Sequence, residues 1–554
     1  MTTDGPLYHF AYYCSGHGES RHSSDLIDED EDSTDRANLF LMVYAPAGFG
    51  HATRVTAITA GLLSRRHRVS IVSSAPESVF EAVLHGSSAQ ASYRFAIFEP
   101  TVVQPKAYDV DRLATFNNLH SFLTQQRHPV IDQERQWLTD HRVDCVLIDA
   151  PFLPCTAARK ANIPSVIISN FTFDSCYSYL SAFNEEASGE QRIETKRLNE
   201  LVAITVQDYA QAELLLRLPG AIPIPGFDED IPLPATTWVE DRTGFFTAEI
   251  DGKLAKGKDS RMRPRRTIDM PLIVRPLTRS AYEPKTKLAL LAALGVPGEL
   301  LKSETKILLV SFGGQVIPSP SPPTSTDHDL DDGSSPNQTR PHDSLLPPGW
   351  IAIICGLPPK ARPHQIPDRF FSITDSKFNY VPDLTAIADV VLGKLGYGTC
   401  SEVIATRTPF ISGKTTYFSV FCRYIKSASD GFSSFVISAT LASNNNNKFY
   451  TDHQRWIVPR KMFVEEYGLK RLMKESSTIN VEMSIKEFED GRWASYILRA
   501  DRLKQQQVHK DHPTSSNHHQ QNPKLILNES QNGHAVDIVV DHLEVFMFEK
   551  KTIK

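Results

Sequence analysis

The 554-residue chain has no run of about 18 apolar residues, the length a helix needs to cross a bilayer, so no membrane span is expected. Its first residues lack the charged-then-apolar order of a secretion signal. Seven cysteines are scattered singly and none forms Cys-x-x-Cys, which argues against a zinc ribbon or a disulfide framework. A reducing, cytoplasmic setting is the expectation. The sequons at Asn170, Asn337 and Asn528 then read as chance matches. There is no basic tract and the net charge is −6, so nothing points to a nucleic-acid partner. No cluster of metal-liganding residues stands out. Gly413-Lys414-Thr415-Thr416 imitates the end of a phosphate-binding P-loop, but Thr408 stands where that motif needs its first glycine. No protein-kinase set of glycine loop, Lys and Asp-Phe-Gly is found either.

What is present suits a large soluble protein. Hydrophobic residues make up 41% of the chain, and its length suggests two or more domains. Short apolar runs of the buried parallel type recur, several of them ending in glycines. Tyr8–Cys14 enters Ser15-Gly16-His17-Gly18. Leu39–Tyr44 enters Gly48-Phe49-Gly50-His51, and a helical pattern follows with Val55, Ile58 and Leu62 on one face. Val69–Val72, Cys145–Asp149 and Val166–Ser169 continue the series, with Asp149 and Asn170 at strand ends. Residues 227–266 read as irregular, and Pro271–Val274 as a last strand of the first half. A second series starts with Ile307–Ser311 before Gly313-Gly314-Gln315. It continues through Trp350–Cys355 and Tyr380–Leu384 to Asp389–Leu392 before Gly393-Lys394-Leu395-Gly396-Tyr397-Gly398-Thr399. The apolar run 536–548 has no evident place in this scheme.

The last of these turns is the best candidate for an anion socket. Glycines let the main chain approach a ligand, and a helix start offers N–H groups and a favourable dipole. Thr399 and Glu402 also fit a capping box, which any helix can use. His51, at a helix start, reads either as a general base or anion contact, or as a capping histidine. The helix start is expected to lower its pKa. Lys394 reads as a phosphate partner or as a solvated lysine. Glu465 and Glu466 read as acceptors for sugar hydroxyls or as ordinary exposed glutamates.

Several motifs together resemble one family. They are Gly-Phe-Gly-His-Ala-Thr-Arg at 48–54, Arg217–Gly220, Ser311–Gln315, Pro347–Trp350 and Leu392–Thr399. This set is similar to the glycosyltransferase-like N-terminal half of plant-type L-arabinokinases, itself similar to GT-B transferases. The resemblance runs from about residue 8 to about 494, with interruptions. It implies an α/β fold of two facing Rossmann-like domains. The expected limits are 1–275 for the acceptor-side domain and 276–500 for the nucleotide-sugar domain, with a low-complexity tail over 501–554.

The resemblance also implies site roles. Gly396, Gly398 and Thr399 would hold a diphosphate, with Glu402 on the ribose and the main chain near Val381 on the base. Gly313, Gly314, Gln315 and Lys394 would border the donor, and Glu465 and Glu466 its sugar. Gly48, Gly50 and His51 would form the acceptor-side loop. The donor would be a nucleoside diphosphate sugar, with no separate cofactor and an unknown hydroxyl as acceptor. Two departures matter. The kinase half has no counterpart in these residues, so arabinose phosphorylation is not implied. Stretches near 19–48 and 412–456 interrupt the family pattern and read as inserts, as does 316–343. A non-catalytic nucleotide-sugar-binding module is the alternative function, and a sugar kinase a remoter one.

Overall fold

The computed structural model describes residues 39–46, 49–84, 90–100, 102–103, 110–182, 184, 192–228, 231–240, 245–255, 266–275, 277, 284–311, 345–355, 368–373, 380–413, 464–483, 487, 492–511 and 532–553. The first strand, β1 (Phe40–Ala45), sends Leu41, Val43 and Ala45 into one apolar cluster and Met42 and Tyr44 into another. A continuous apolar run encodes a strand buried on both faces, which is the condition of parallel sheets. β1 pairs in parallel with β2 (Arg68–Ser73), and β2 with β3 (Ala91–Phe95). On its other side lie β4 (Cys145–Ile148), β5 (Ser165–Ser169), β6 (Leu214–Arg217) and β7 (Arg266–Asp269), all parallel. The order is β3-β2-β1-β4-β5-β6-β7.

The second half repeats the plan. Its strands are β8 (Lys306–Ser311), β9 (Trp350–Ile354), β10 (Phe370–Ser372), β11 (Val390–Gly393), β12 (Phe410–Gly413) and β13 (Asn480–Met483). They run parallel in the order β10-β9-β8-β11-β12-β13. In each sheet the strand order reverses beside its first strand, between β1 and β4 and between β8 and β11. Doubly wound sheets open a ligand crevice at the carboxyl ends of such a pair.

Four helices matter for the site. α1 (Phe49–Ser64) follows β1, α2 (Leu153–Lys160) links β4 to β5, α3 (Val381–Ile387) precedes β11, and α4 (Tyr397–Thr406) follows it. Two more close the chain, α5 (Trp493–Asp511) and α6 (Asn532–Ile553). α6 packs on α1 and buries Val539, Val540, Leu543, Phe546 and Met547. Arg65, in the turn after α1, meets Asp541 at 2.5 Å and Glu544 at 3.0 Å. The halves are joined by apolar contact, since one cluster runs from Leu41 and Val43 through Ile307, Leu309, Val391 and Val403.

Several expectations are corrected. Residues 40–45 fall inside a stretch read as an insert, yet they form the central strand of the first sheet. The last strand of that sheet is Arg266–Asp269 and not Pro271–Val274; Leu272, Ile273 and Val274 are buried in the shared cluster without strand pairing. The irregular stretch before it contains a hairpin of Val239–Glu240 with Phe245–Phe246 and a helix over Ala248–Ala255. In the low-complexity tail, α5 continues to Asp511 and α6 accounts for the unplaced run 536–548. Ser412 and Gly413, assigned to an insert, complete β12. Residues 8–14, 316–343 and 414–456 lie outside the described residues.

Candidate functional site

The third residue of α1 is His51, and α1 leaves β1 at the switch point of the first sheet. Asp149 and Asn170 follow β4 and β5, so the topology delivers all three to one crevice. The His51 Nδ1 lies 3.1 Å from Asp149 Oδ2. Arg54, one turn further along α1, donates from Nε to Asp149 Oδ2 at 2.7 Å and from Nη2 to Oδ1 at 2.5 Å. Its Nη1 donates to Asn170 Oδ1 at 2.8 Å, and Nη2 also reaches Ser169 Oγ at 3.3 Å. The Arg54 and Asp149 side chains are each only 3% exposed.

Nη2 of Arg54 also stands 3.0 Å from His51 Nδ1. Both contacts of Nδ1 cannot be hydrogen bonds at once. If Nδ1 accepted from Arg54, its lone pair would face a carboxylate oxygen. With the proton on Nδ1 it donates to Asp149, and the Nη2 hydrogens serve Asp149 and Ser169. That tautomer satisfies every group and leaves the Nε2 lone pair as the acceptor. Burial draws the His51 pKa below its ordinary value; Asp149 opposes this and Arg54 assists it. The ring is therefore neutral at pH 7. The direction is the one expected from the sequence, and burial, with help from Arg54, accounts for it. For Asp149, burial would raise the pKa, and Arg54 with His51 outweigh it and hold the carboxyl below its usual range. Ala150, next in the chain, takes φ +81°, a left-handed conformation that costs a residue with a Cβ about 1–3 kcal/mol.

In the second half, β11 passes through Lys394-Leu395-Gly396 into α4. Gly396 is the N-cap in extended conformation, and no side chain caps the helix. Thr399 sits inside the first turn, so the Thr-x-x-Glu box is not formed. Glu402 instead turns to Arg275, whose Nε and Nη2 donate to its Oε1 at 3.0 and 2.5 Å. Among the described residues a Cβ at Gly396 would meet only Lys394 Cε at 3.8 Å, and one at Gly398 only Thr53 Oγ1 at 3.8 Å. Neither φ is positive. Packing therefore does not require glycine at these two positions. Gly393 differs, because a Cβ there would lie 2.1 Å from Ser311 O.

The two helix starts face each other across the junction. Thr53 of α1 approaches Gly398, and the Arg54 guanidinium lies 5.0 Å from the Tyr397 ring centroid. The structure thus brings His51, Gly50, Gly396, Gly398 and Thr399 to one junction, with Glu402 buried behind the turn and Lys394 beside it. Gly50 is exposed at the start of α1. Val381 opens α3, and its carbonyl accepts from Thr385 Oγ1 at 2.9 Å. Glu465 and Glu466 fall on a single π-type turn, Val464–Leu469, and their side chains lie outside the described residues, as do Gly48, Gly313, Gly314 and Gln315. Arg54 and Arg275 went unassigned as site residues. Arg54 carried a signal, since it ends the motif 48–54. Among the described residues no group of three or more His, Cys, Asp or Glu is placed to hold a metal ion, and no helix is long and apolar enough to cross a membrane.

Two parallel doubly wound sheets with their crevices at a common junction define a two-lobed, GT-B-type α/β protein. Over 395 residues the chain is 28% identical to L-arabinokinase of Arabidopsis thaliana, covering 71% of this chain and 30% of that protein. It therefore spans about a third of that relative's length. No family model matches. Similar solved structures include a calicheamicin glycosyltransferase, with 13% identity, TM-score 0.44 and coverage of 91% of this chain and 98% of that one. Another is an Arabidopsis thaliana glycosyltransferase complexed with UDP-L-rhamnose, with 11% identity, TM-score 0.43 and coverage of 92% and 99%.

Proposed function

We propose that this chain transfers a glycosyl group from a nucleoside diphosphate sugar to a hydroxyl acceptor. The observation that carries the reading is the apposition of a neutral, carboxylate-held His51 and an uncapped helix start whose glycines the fold does not need. Nε2 of His51 takes the acceptor's hydroxyl proton. The oxygen attacks the anomeric carbon as the bond from that carbon to the phosphate oxygen breaks. The proton stays on the imidazole, where Asp149 stabilises the cation. Main-chain N–H groups at Gly396, Gly398 and Thr399 receive the departing diphosphate, as helix starts do for developing negative charge. Among the described residues Arg275 meets Glu402 through Oε1, and Oε2 is the oxygen this reading gives to the ribose. In this reading Val381 borders the base, Lys394, Gly313, Gly314 and Gln315 border the phosphates, Glu465 and Glu466 the sugar, and Gly48 and Gly50 the acceptor. The named activity of L-arabinokinase does not carry over, because the matched span is a minor part of that protein.

Thermal shift against a panel of nucleoside diphosphate sugars tests the donor site. A ligand at 100 times its Kd adds about 2.7 kcal/mol of stability. The fold accommodates Gly398→Ala, yet its methyl shields the amides and should weaken donor binding roughly tenfold, about 1.4 kcal/mol. His51→Ala should bind the donor as before and transfer nothing. Binding without transfer by the wild-type chain would favour the regulatory module instead; no response to any sugar nucleotide would overturn the donor site.

A further inference from the structure

We propose that Arg54 is the positioning residue of the His51–Asp149 pair, and that the Tyr397 ring, carried by α4 of the other half, keeps it in place, so that the base is aligned only while the halves are apposed. The inference deepens the transfer reading and, for its kinetic consequences, rests on it.

The geometry is specific to a guanidinium. Arg54 belongs to α1, while its partners Asp149, Ser169 and Asn170 stand at the ends of β4 and β5. One side chain thus ties the helix that carries the base to both strands that orient it. A lysine ammonium is a point charge and cannot make the fork to Asp149 while reaching Asn170. A buried ion pair is by itself weak evidence of a stabilising role, because desolvation offsets much of the attraction. What sets this pair apart is what surrounds it. On one side it touches the Nδ1 edge of His51, at 3.0 Å. On another it meets the ring of Tyr397, 5.0 Å away and buried.

Tyr397 is the first residue of α4, the helix assigned to the diphosphate. Its ring is buried and carried by α4, so the cover over Arg54 follows the seating of the donor half. Separating the halves would admit water to the guanidinium face and weaken the fork to Asp149. Among the described residues the charged groups acting on His51 are Arg54 on its own helix and Asp149 after β4, and Tyr397 from the second half faces Arg54. Glu99, after β3, acts on Asp149 in turn.

The test uses the full chain and needs no turnover. Imidazole C–H resonances are followed against pH, with His51 identified as the signal lost in His51→Gln. In the wild type it titrates below the ordinary histidine value. Arg54→Met removes the opposing cation and leaves Asp149 unbalanced, so the midpoint should rise by about one pH unit. Tyr397→Leu should shift it in the same direction, and Tyr397→Phe, which keeps the ring, should not. In kinetics, Arg54→Lys and Tyr397→Leu should lower kcat about tenfold with donor KM nearly unchanged. Tyr397→Leu should also move the acid limb of the rate profile to higher pH, and Tyr397→Phe should keep the wild-type rate and profile. An unmoved His51 midpoint in Arg54→Met, or in Arg54→Gln if the former does not fold, would reduce Arg54 to a structural residue. A wild-type titration in Tyr397→Leu would refute the latch. A wild-type chain that transfers nothing would overturn the transfer reading while the titration still decides this one.

Discussion

Glu99 is a buried carboxyl coupled to Asp149 that burial drives toward the neutral form. Its Oε2 is buried with no hydrogen-bond partner, and burial, with help from Asp149, pushes its pKa up to about 8. The unfolded value is near 4.5. Between these limits the folded protein holds a proton that the unfolded chain has released, so stability falls as pH rises through this window. Glu99→Gln removes the titration. We expect its unfolding free energy in urea to match the wild type near pH 5 and to exceed it increasingly toward pH 8, by about 1–3 kcal/mol. Parallel curves across the range would mean that Glu99 is ionised in the fold. Asp149 lies nearby and behaves oppositely because Arg54 and His51 neutralise it. Arg54 was hard to read as a partner from sequence, because Asp149 and Asn170 lie 95 and 116 residues away. A helical pattern records its own neighbours at three and four residues and nothing of such distant ones.

At the scale of elements, glycines separate positions that the fold needs from positions it does not. Gly468 belongs to the first kind. A Cβ there would stand 2.4 Å from the carbonyl oxygen of Gly220, and Gly220 itself has φ +74°. This is the closest main-chain contact between the halves among the described glycines. Tyr467 beside it joins its hydroxyl to that of Tyr179 at 2.9 Å. Gly468→Ala must push the two segments apart, and we expect a loss of about 1–3 kcal/mol in chemical denaturation. A neutral result would mean that the contact yields without cost. The same scale explains what the sequence disclosed. Central strands such as β1, β4, β8 and β11 are continuous apolar runs, and their burial on both faces makes them legible. β7 is an edge strand of Arg-Thr-Ile-Asp, with one aliphatic residue, so the apolar run at 271–274 drew the assignment instead. The start of α4 was located, but the N-cap position falls at Gly396, three residues before the Thr399 that the capping-box reading would place there. α6 stayed unplaced because its partner α1 lies far away in the chain, and the packing of its apolar face on α1 and the pairing of Arg65 with Asp541 and Glu544 appear only in three dimensions.

At the scale of the whole molecule, the two halves share one core. Their sheets are separate, yet Leu41 and Val43 of the first belong to the same apolar cluster as Ile307, Leu309 and Val391 of the second. Chain order alone suggests two domains linked at about residue 275, which would unfold one after the other. A shared cluster argues otherwise. Each fully buried Leu, Ile or Val contributes about 1.5–3 kcal/mol, so opening the junction around several of them costs as much as a small domain's net stability. Neither half then keeps its core when the other unfolds. α6 reinforces this, because it is the last element of the chain and yet packs on α1 of the first half. We therefore expect a single calorimetric transition whose van't Hoff and calorimetric enthalpies agree. A sugar nucleotide bound at the second half should raise that whole transition, including the signal of Trp238 in the first half. Two resolved transitions, with the ligand moving only one, would show that the shared cluster does not couple the lobes, and alignment of His51 by the seating of α4 would lose its mechanical basis.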